Sequence, residues 1–230
     1  MLNREKHRVT MLRILKDIAS DISLSTLLGF KGGTATMLFY DLPRFSVDLD
    51  FDLLEDSEEK RSLVFEKIRN ILLMYGNLKD EQRKFSTIFF AVSYGEGEHQ
   101  IKVEINTRKT GARYEMKNYL GIPMLVATKE SLFAGKLVAL TRRKKFVARD
   151  LYDTYFFLDH GWDIEEAVFR AYEVGSTRGY LKMCATFVES VPENSLLAGL
   201  GDLIDEKQKT FIKNKLKQET IFLLRARSET

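Results

Sequence analysis

Cysteine and long apolar runs are both scarce in this chain of 230 residues. Its single cysteine, Cys184, excludes an internal disulfide and a cysteine-based zinc site, and such usage fits a reducing compartment. No run approaches the roughly 20 apolar residues that span a bilayer, and the opening stretch MLNREKHRVTML carries charge where a secretory signal needs an apolar core. We therefore expect a cytoplasmic protein with no membrane partner.

Several catalytic signatures are also missing. The three histidines, His7, His99 and His160, are scattered without metal-ligand spacing, and no GxSxG elbow occurs. The phosphate-binding patterns GxxxxGK[ST] and GxGxxG are absent too. These absences argue against a histidine metal centre, an α/β-hydrolase, a P-loop NTPase and a dinucleotide-binding fold.

The charged residues are unevenly distributed, although the net charge is only +3. Acidic side chains crowd one segment: Asp41, Asp48, Asp50, Asp52, Glu55, Asp56, Glu58 and Glu59. Basic side chains form a later cluster: Arg142, Arg143, Lys144, Lys145 and Arg149. An acidic centre within basic surroundings suits metal ions together with a polyanion, and solvated charged faces are the alternative explanation of the basic residues.

Hydrophobic periodicity predicts alternating elements in the first half of the chain. The predicted elements are a helix over 3–18, a strand over 27–30, a helix after Gly33, a strand over 46–53, a helix over 58–76 and a hairpin of 85–94 with 99–108. Gly121 and Pro123 then punctuate the chain.

Beyond these residues almost every segment is typical of a helix. The predicted helices are 128–143, 147–159, 163–175, 178–190 and 205–225. With 44% apolar residues the chain can bury a substantial core. We expect an α+β protein with a mixed sheet flanked by helices over residues 1–125, followed by a helical bundle over 126–230.

The strand over 46–53 places acids on one face. Because side chains alternate along a strand, Asp48, Asp50 and Asp52 share a face, and the large apolar residues line the other. Alternate carboxylates stand roughly 7 Å apart and repel one another unless a cation neutralises them. This pattern suits magnesium, whereas an ordinary exposed acidic face is the alternative.

A further carboxylate is offered by the segment IKVEIN. There Glu104 lies on the face opposite Ile101, Val103 and Ile105, so it would stand beside Asp48 and Asp50 on a neighbouring strand. Such a residue would ligate a metal and help to deprotonate an attacking hydroxyl.

The triplet Gly32-Gly33-Thr34 lies between a predicted strand and a predicted helix. Free backbone N–H groups at a helix start hold anions, and glycine lets a phosphate approach the backbone. Thr34 would add a hydroxyl. A tight turn or a simple helix cap is the alternative.

One lysine and two aspartates in the second half are further candidate site residues. Lys136 lies within an apolar helical stripe, which indicates either contact with a phosphate or a salt bridge to Asp150 or Asp153. Asp150 and Asp153 share a helical face, and we expect Asp150 to be the functional acid.

Together these motifs resemble those of the AbiEii/AbiGii toxin family of nucleotidyltransferases, within the DNA polymerase β-like superfamily. The resemblance rests on Gly-Gly-Thr, the segment RFSVDLDF, KVEIN, AGKLVAL with Lys136, and ARDLYD with Asp150, and covers roughly residues 30–158. It implies a nucleotidyltransferase-type sheet followed by a helical domain that contributes Lys136 and Asp150 to the site.

The resemblance also implies roles for individual residues. Gly32, Gly33 and Thr34 would hold the triphosphate of an NTP, and Asp48 and Asp50 would hold Mg²⁺ or Mn²⁺, with Glu104 as a third ligand. Arg44 and Ser46 match the signature as nucleotide contacts, as does Lys136. For Arg44, an ion pair with Asp41 or Glu55 is the alternative.

By the same resemblance the protein is the toxin of a toxin–antitoxin or abortive-infection system. It would transfer an NMP from an NTP to a hydroxyl, with a tRNA 3′ end as the expected acceptor and a cognate antitoxin as partner. Arg142, Arg143, Lys144 and Lys145 are the expected RNA contacts. Two alternatives stay open, namely transfer to a protein or small-molecule hydroxyl and a catalytically inactive nucleotide-binding module.

Overall fold

The computed structural model describes residues 3–229, which form two units. The first unit extends to Asp41 and takes in Phe45–Lys109 and Tyr114–Ala127. The second contains the chain from Thr128 onward together with Leu42–Arg44 and Thr110–Arg113. Since residues of the first unit separate both short segments from Thr128, no local pattern marks them as parts of the second unit.

The first unit is a seven-stranded mixed sheet with helices, as expected of an α+β protein. Its helices are α1 (Arg4–Ser20), α2 (Ile22–Ser25), α3 (Gly32–Phe39) and α4 (Glu58–Leu73). Its strands are β1 (Leu28–Lys31), β2 (Asp48–Leu53), β3 (Asn77–Lys84), β4 (Thr87–Ser93), β5 (Ile101–Asn106), β6 (Tyr114–Tyr119) and β7 (Ile122–Ala127). The strand order is β3-β4-β5-β2-β1-β7-β6.

Helix α1 shows why these segments fold as they do. Asn3 caps it, because its side chain accepts a hydrogen bond from the backbone N–H of Lys6. Its buried residues recur at helical spacing and form the stripe Met11, Ile14, Leu15 and Ile18. This stripe belongs to the apolar core of the first unit.

Strand β2 occupies the centre of the sheet. It pairs antiparallel with β1 and parallel with β5, and Leu49, Phe51 and Leu53 are buried, as the alternation predicts. The predicted hairpin is also confirmed, since β4 pairs antiparallel with β5. The apolar side of β2 thus anchors the strand that carries the acidic residues.

Three strands of the sheet, β3, β6 and β7, were not predicted from the sequence. Both edge strands, β3 and β6, lack a run of buried apolar residues, so their patterns carry no strand signal. Charged edges of this kind also discourage pairing with other chains. Gly121 and Pro123 lie in the hairpin of β6 and β7, where Gly121 adopts a φ of +84°.

The second unit is helical. Its helices are α5 (Lys129–Arg142), α6 (Ala148–Asp159), α7 (Glu166–Ala171), α8 (Thr177–Ser190), α9 (Glu206–Phe211) and α10 (Lys217–Arg227). A 3₁₀ turn occupies Glu193–Ser195, and a π-helical segment, Ile212–Leu216, joins α9 to α10. Helix α7 is shorter than the predicted 163–175. No helix within residues 3–229 is long and apolar enough to cross a bilayer.

Aromatic side chains fill the core of the second unit. The rings of Phe157 and Trp162 stack at 4.4 Å with an interplanar angle of 11°, and Phe133 meets Phe157 edge-on. The aromatic residues of α6 are therefore packing residues for the most part.

Candidate active site

The Gly-Gly-Thr segment forms the first turn of α3, directly after β1. Gly32 has a φ of +76°, which side chains other than glycine rarely adopt, and a Cβ built there would lie 2.2 Å from Oδ2 of Asp50. The first N–H groups of a helix have no partner within the helix. Glycine thus lets an anion-binding helix start approach the carboxylate of Asp50 closely.

Thr34 and Ser46 have buried side chains. The Thr34 hydroxyl donates to the backbone oxygen of Asp48 at 2.5 Å and lies 2.9 Å from Oγ of Ser46. Both side chains therefore connect α3 to the start of β2. Direct contact of either hydroxyl with a phosphate stays a prediction.

Asp48 and Asp50 are half-buried on one face of β2. Glu104 is exposed and stands opposite Asp50 in the parallel pairing of β2 with β5. Within residues 3–229 no group of three or more His, Cys, Asp or Glu side chains is arranged to hold a metal ion. The predicted cluster of three carboxylates is not found among these residues, and the role of Glu104 as a third ligand stays a prediction.

Two carboxylates nevertheless fit a magnesium or manganese ion. Magnesium in phosphoryl-transfer sites is usually held by one or two carboxylates and completed by water and substrate phosphates. Asp48 and Asp50 supply oxygen ligands of this type, and the carboxylate of Asp50 lies against the backbone of Gly32 at the start of α3. The donor set suits a metal ion that arrives together with a nucleotide.

Asp52 shares this strand face but has different surroundings. It is buried, with Nζ of Lys31 at 2.5 Å and Nδ2 of Asn106 at 2.7 Å, and it accepts a hydrogen bond from the hydroxyl of Tyr114. Its charge is neutralised within the protein, so Asp52 is a structural residue.

The second unit contains an ionic cluster of three cations and two carboxylates: Arg44, Lys136, Arg143, Asp150 and Asp153. Lys136 Nζ lies 2.9 Å from Oδ1 of Asp150 and 3.0 Å from Oδ2 of Asp153. Arg44 binds Asp153 through two nitrogens, at 2.6 and 2.7 Å. These five groups leave one net positive charge.

Asp150 and Asp153 are both buried, yet their environments differ. Oδ2 of Asp150 forms an ion pair with Nε of Arg143 at 2.8 Å, but no described residue donates a hydrogen bond to it. Both oxygens of Asp153 are engaged. The structure therefore gives Lys136 both candidate acids as partners.

The cluster keeps Asp153 and Lys136 ionised. Burial raises the pKa of Asp153, but Arg44 and Lys136 outweigh it and bring the pKa to about 2. Burial lowers the pKa of Lys136, yet the two carboxylates reverse this, so its pKa lies above the usual value. Lys136 is consequently a fixed cation.

Arg44 shows what sequence reasoning missed. Its buried guanidinium is bound by Asp153, 109 residues further along the chain, a partner that the sequence does not indicate. The only local signal was an arginine in a segment otherwise rich in acids. Contact between Arg44 and a phosphate stays a prediction.

The basic cluster begins at the last residue of α5 and continues beyond it. Arg142, Arg143, Lys144 and Lys145 are all exposed, and Arg143 also pairs with Asp150. All four expected RNA contacts are therefore solvent-facing cations, three of them outside the ionic cluster.

A model of the nucleotidyl transferase AbiEii toxins of type IV toxin–antitoxin systems matches residues 13–222. The chain belongs to this family. Its enzyme class is accordingly that of the nucleotidyltransferases, and membership implies an NTP substrate and an antitoxin partner. No curated protein matches the chain significantly.

Solved structures share the fold of this AbiEii protein. A Helicobacter pylori protein with a provisional nucleotidyltransferase description matches with a TM-score of 0.60 and 23% identity, covering 98% of this chain and 93% of its own. JHP933 from the same organism matches with a TM-score of 0.58 and 22% identity, covering 100% and 97%.

The nucleotidyltransferase toxin MenT4 from Mycobacterium tuberculosis is a further neighbour. Its TM-score is 0.58 at 17% identity, and the match covers 98% of this chain and 86% of MenT4. At these identities the likeness concerns the fold, and the predicted nucleotidyltransferase-type sheet with its flanking helices is confirmed.

Proposed function

We propose that this AbiEii protein is a divalent-metal-dependent enzyme that transfers an NMP from an NTP to a hydroxyl of RNA, with a tRNA 3′ end as the acceptor. The observation that carries the proposal is the placement of Asp50 against the positive-φ glycine at the start of α3. A carboxylate for a metal and a helix start for a phosphate then lie side by side.

Asp48 and Asp50 would hold the Mg²⁺ or Mn²⁺ ion, and the N–H groups of Gly32 and Gly33 would bind the triphosphate. A bound metal would offset the charge that develops on the phosphate oxygens. The acceptor oxygen bonds to the α-phosphorus, the bond from that phosphorus to the bridging oxygen breaks, and pyrophosphate leaves. Glu104 would accept the proton of the hydroxyl.

Lys136 would act as a phosphate-binding cation, with Asp150 as the acid that orients it. The net positive charge of the ionic cluster favours an anion, and the raised pKa keeps Lys136 protonated. Arg142, Lys144 and Lys145 would bind the RNA backbone, because neutralised phosphates provide most of the sequence-independent affinity.

Labelled NTPs incubated with the purified protein, Mg²⁺ and either tRNA or a protein extract test the proposal. We expect label in tRNA. Label only in protein or small metabolites would move the acceptor to the alternative class, and no label anywhere, with unchanged nucleotide binding in Asp48→Asn, would identify a binding module.

A toxin role in the cell has a separate test. Induced expression should arrest growth, and Lys136→Ala should relieve the arrest because the variant lacks the proposed phosphate contact. Equal growth with and without induction of the wild type would contradict the role.

A further inference from the structure

The backbone that enters β2 is held by side chains rather than by the sheet alone. Pairing with β1 reaches only Lys31 opposite Asp50, and pairing with β5 begins with Asp48 opposite Lys102. The carbonyl of Val47 therefore precedes the paired part of β2. The residue that follows this carbonyl is the proposed metal ligand Asp48.

His7 on α1 contacts that carbonyl. Its Nε2 lies 2.9 Å from the backbone oxygen of Val47, and its Nδ1 lies 2.9 Å from the hydroxyl oxygen of Tyr94. Because a carbonyl oxygen can only accept, Nε2 carries the hydrogen. In the neutral ring Nδ1 then accepts from Tyr94.

The imidazole is also fixed by packing. His7 is 0% exposed. Its ring meets Phe45 edge-on at 6.1 Å and Tyr94 at 5.6 Å. A ring held on two sides and bonded at both nitrogens has one orientation, so the position of Val47 is fixed relative to α1.

Thr34 supplies a second such contact one residue later, where its hydroxyl donates to the oxygen of Asp48. Two consecutive carbonyls at the start of β2 thus accept hydrogen bonds from side chains of two different helices. The backbone on both sides of the Val47–Asp48 peptide is thereby tied to α1 and α3.

We propose that His7 is a positioning residue for Asp48, acting through the hydrogen bond to Val47. The inference rests on the proposed function, since it concerns the use of Asp48 as a metal ligand. Groups that orient metal ligands without touching the metal change metal affinity by roughly 10- to 100-fold. His7 acts through the backbone, so we place it at the lower end of this range.

Direct Mn²⁺ binding to the full chain, followed by electron paramagnetic resonance, tests the inference alongside urea unfolding. His7→Phe keeps a ring but removes both hydrogen bonds, and we expect about tenfold weaker Mn²⁺ binding. His7→Gln should restore most of the affinity, because its amide nitrogen can replace Nε2 as the donor to Val47.

Tyr75→Phe is the matched control. It removes the hydrogen bond from Tyr75 to Asp17, which lies on α1 as His7 does but near the opposite end of that helix. Its Mn²⁺ affinity should equal that of the wild type even if its stability falls. Tyr94→Phe should weaken Mn²⁺ binding less than His7→Phe does. If His7→Phe does not fold, Tyr94→Phe serves as the test variant in its place.

Wild-type Mn²⁺ affinity in His7→Phe, or in Tyr94→Phe where the first variant does not fold, would overturn the inference. So would His7→Gln binding no better than His7→Phe. If wild type binds Mn²⁺ and Asp48→Asn does not, the proposed function survives either result. If Asp48→Asn binds as wild type does, the metal site and the role of His7 both fail.

Discussion

The carboxylates of β2 and those of α6 differ in how their charge is balanced. Asp48 and Asp50 are half-buried on the face of a strand beside a helix start. Asp150 and Asp153 are buried, and each lies within ion-pair distance of two cations of the same chain. The difference separates carboxylates that suit an external cation from carboxylates that the protein itself neutralises.

The same contrast occurs within a single strand. Asp52 is two residues beyond Asp50 on the same face, yet it is buried with Lys31, Asn106 and Tyr114 as partners. Strand periodicity alone gives three equivalent acids, and only their neighbours distinguish them.

The largest expected effect is on activity. Asp48→Asn combined with Asp50→Asn removes the proposed metal ligands while keeping side-chain size. Transfer should therefore fall by more than the roughly 100-fold that is lost when a residue that only orients a metal ligand is replaced. Label incorporation into RNA measures this. Unfolding in urea should change little.

Asp52→Asn is the internal control for the Asp48→Asn, Asp50→Asn double variant. It should lower the free energy of unfolding, because it weakens a buried ion pair, while the correctly folded fraction keeps its specific activity. An equal loss of activity in Asp52→Asn would remove the distinction drawn along β2.

The second prediction concerns the ionic cluster. Asp153→Asn removes the carboxylate that binds the buried Arg44 through two nitrogens, and breaking a buried pair costs about 3–5 kcal/mol. Urea unfolding checks this. Asp159→Asn on the same helix is the control, and since Asp159 is half-exposed its effect should stay within about 0.5 kcal/mol. Equal effects of the two variants would contradict the structural role of the cluster.

The pH dependence of stability gives the third prediction. The pKa of Asp153 is lowered from 3.8 to about 2, so its contribution is complete above pH 4 and is lost as the pH falls through 2. The contribution is about 2 kcal/mol. Urea unfolding of wild type between pH 5 and 2 should show it, and Asp153→Asn should lack this component of the slope.

Gly32→Ala is expected to have a smaller effect on stability. The left-handed conformation costs an alanine about 1–2 kcal/mol, and the new Cβ would displace the carboxylate of Asp50. We therefore expect reduced stability together with reduced transfer.

Gly135→Ala is the matched control, because a Cβ at this position in α5 meets nothing within 4 Å. It should stabilise the protein by about 0.5–1 kcal/mol. Gly32→Ala with wild-type activity would show that the close approach to Asp50 is unnecessary.

The smallest effect is expected at the basic cluster. Replacing Arg142, Lys144 and Lys145 with glutamine should weaken RNA binding and reduce the salt slope by up to about 0.7 for each lost phosphate contact. Arg143 is left in place because it pairs with Asp150. An unchanged slope in a salt titration would place the RNA elsewhere.

The sequence predicts the parts of the fold that have strong local patterns. The alternation of β2 and the helical period of residues 3–18 are explicit, and both elements form within two residues of the expected bounds. The edge strands β3 and β6 were missed, since a strand with one neighbour and little buried surface needs no apolar face.

The candidate site, too, was predictable only where the local sequence pattern is strong. Acids on one strand face and glycines at a helix start can be recognised from spacing. The pair of Arg44 with Asp153 and the inward direction of Thr34 depend on residues that are distant in sequence, so only packing reveals them.

The most direct test of the central claim compares α-labelled with γ-labelled NTP. Wild-type protein with Mg²⁺ should transfer the α-label to tRNA and leave the γ-label in pyrophosphate, and both EDTA and the Asp48→Asn, Asp50→Asn double variant should abolish transfer. Transfer of the γ-label to the acceptor, or full activity in the double variant, would contradict nucleotidyl transfer by these carboxylates.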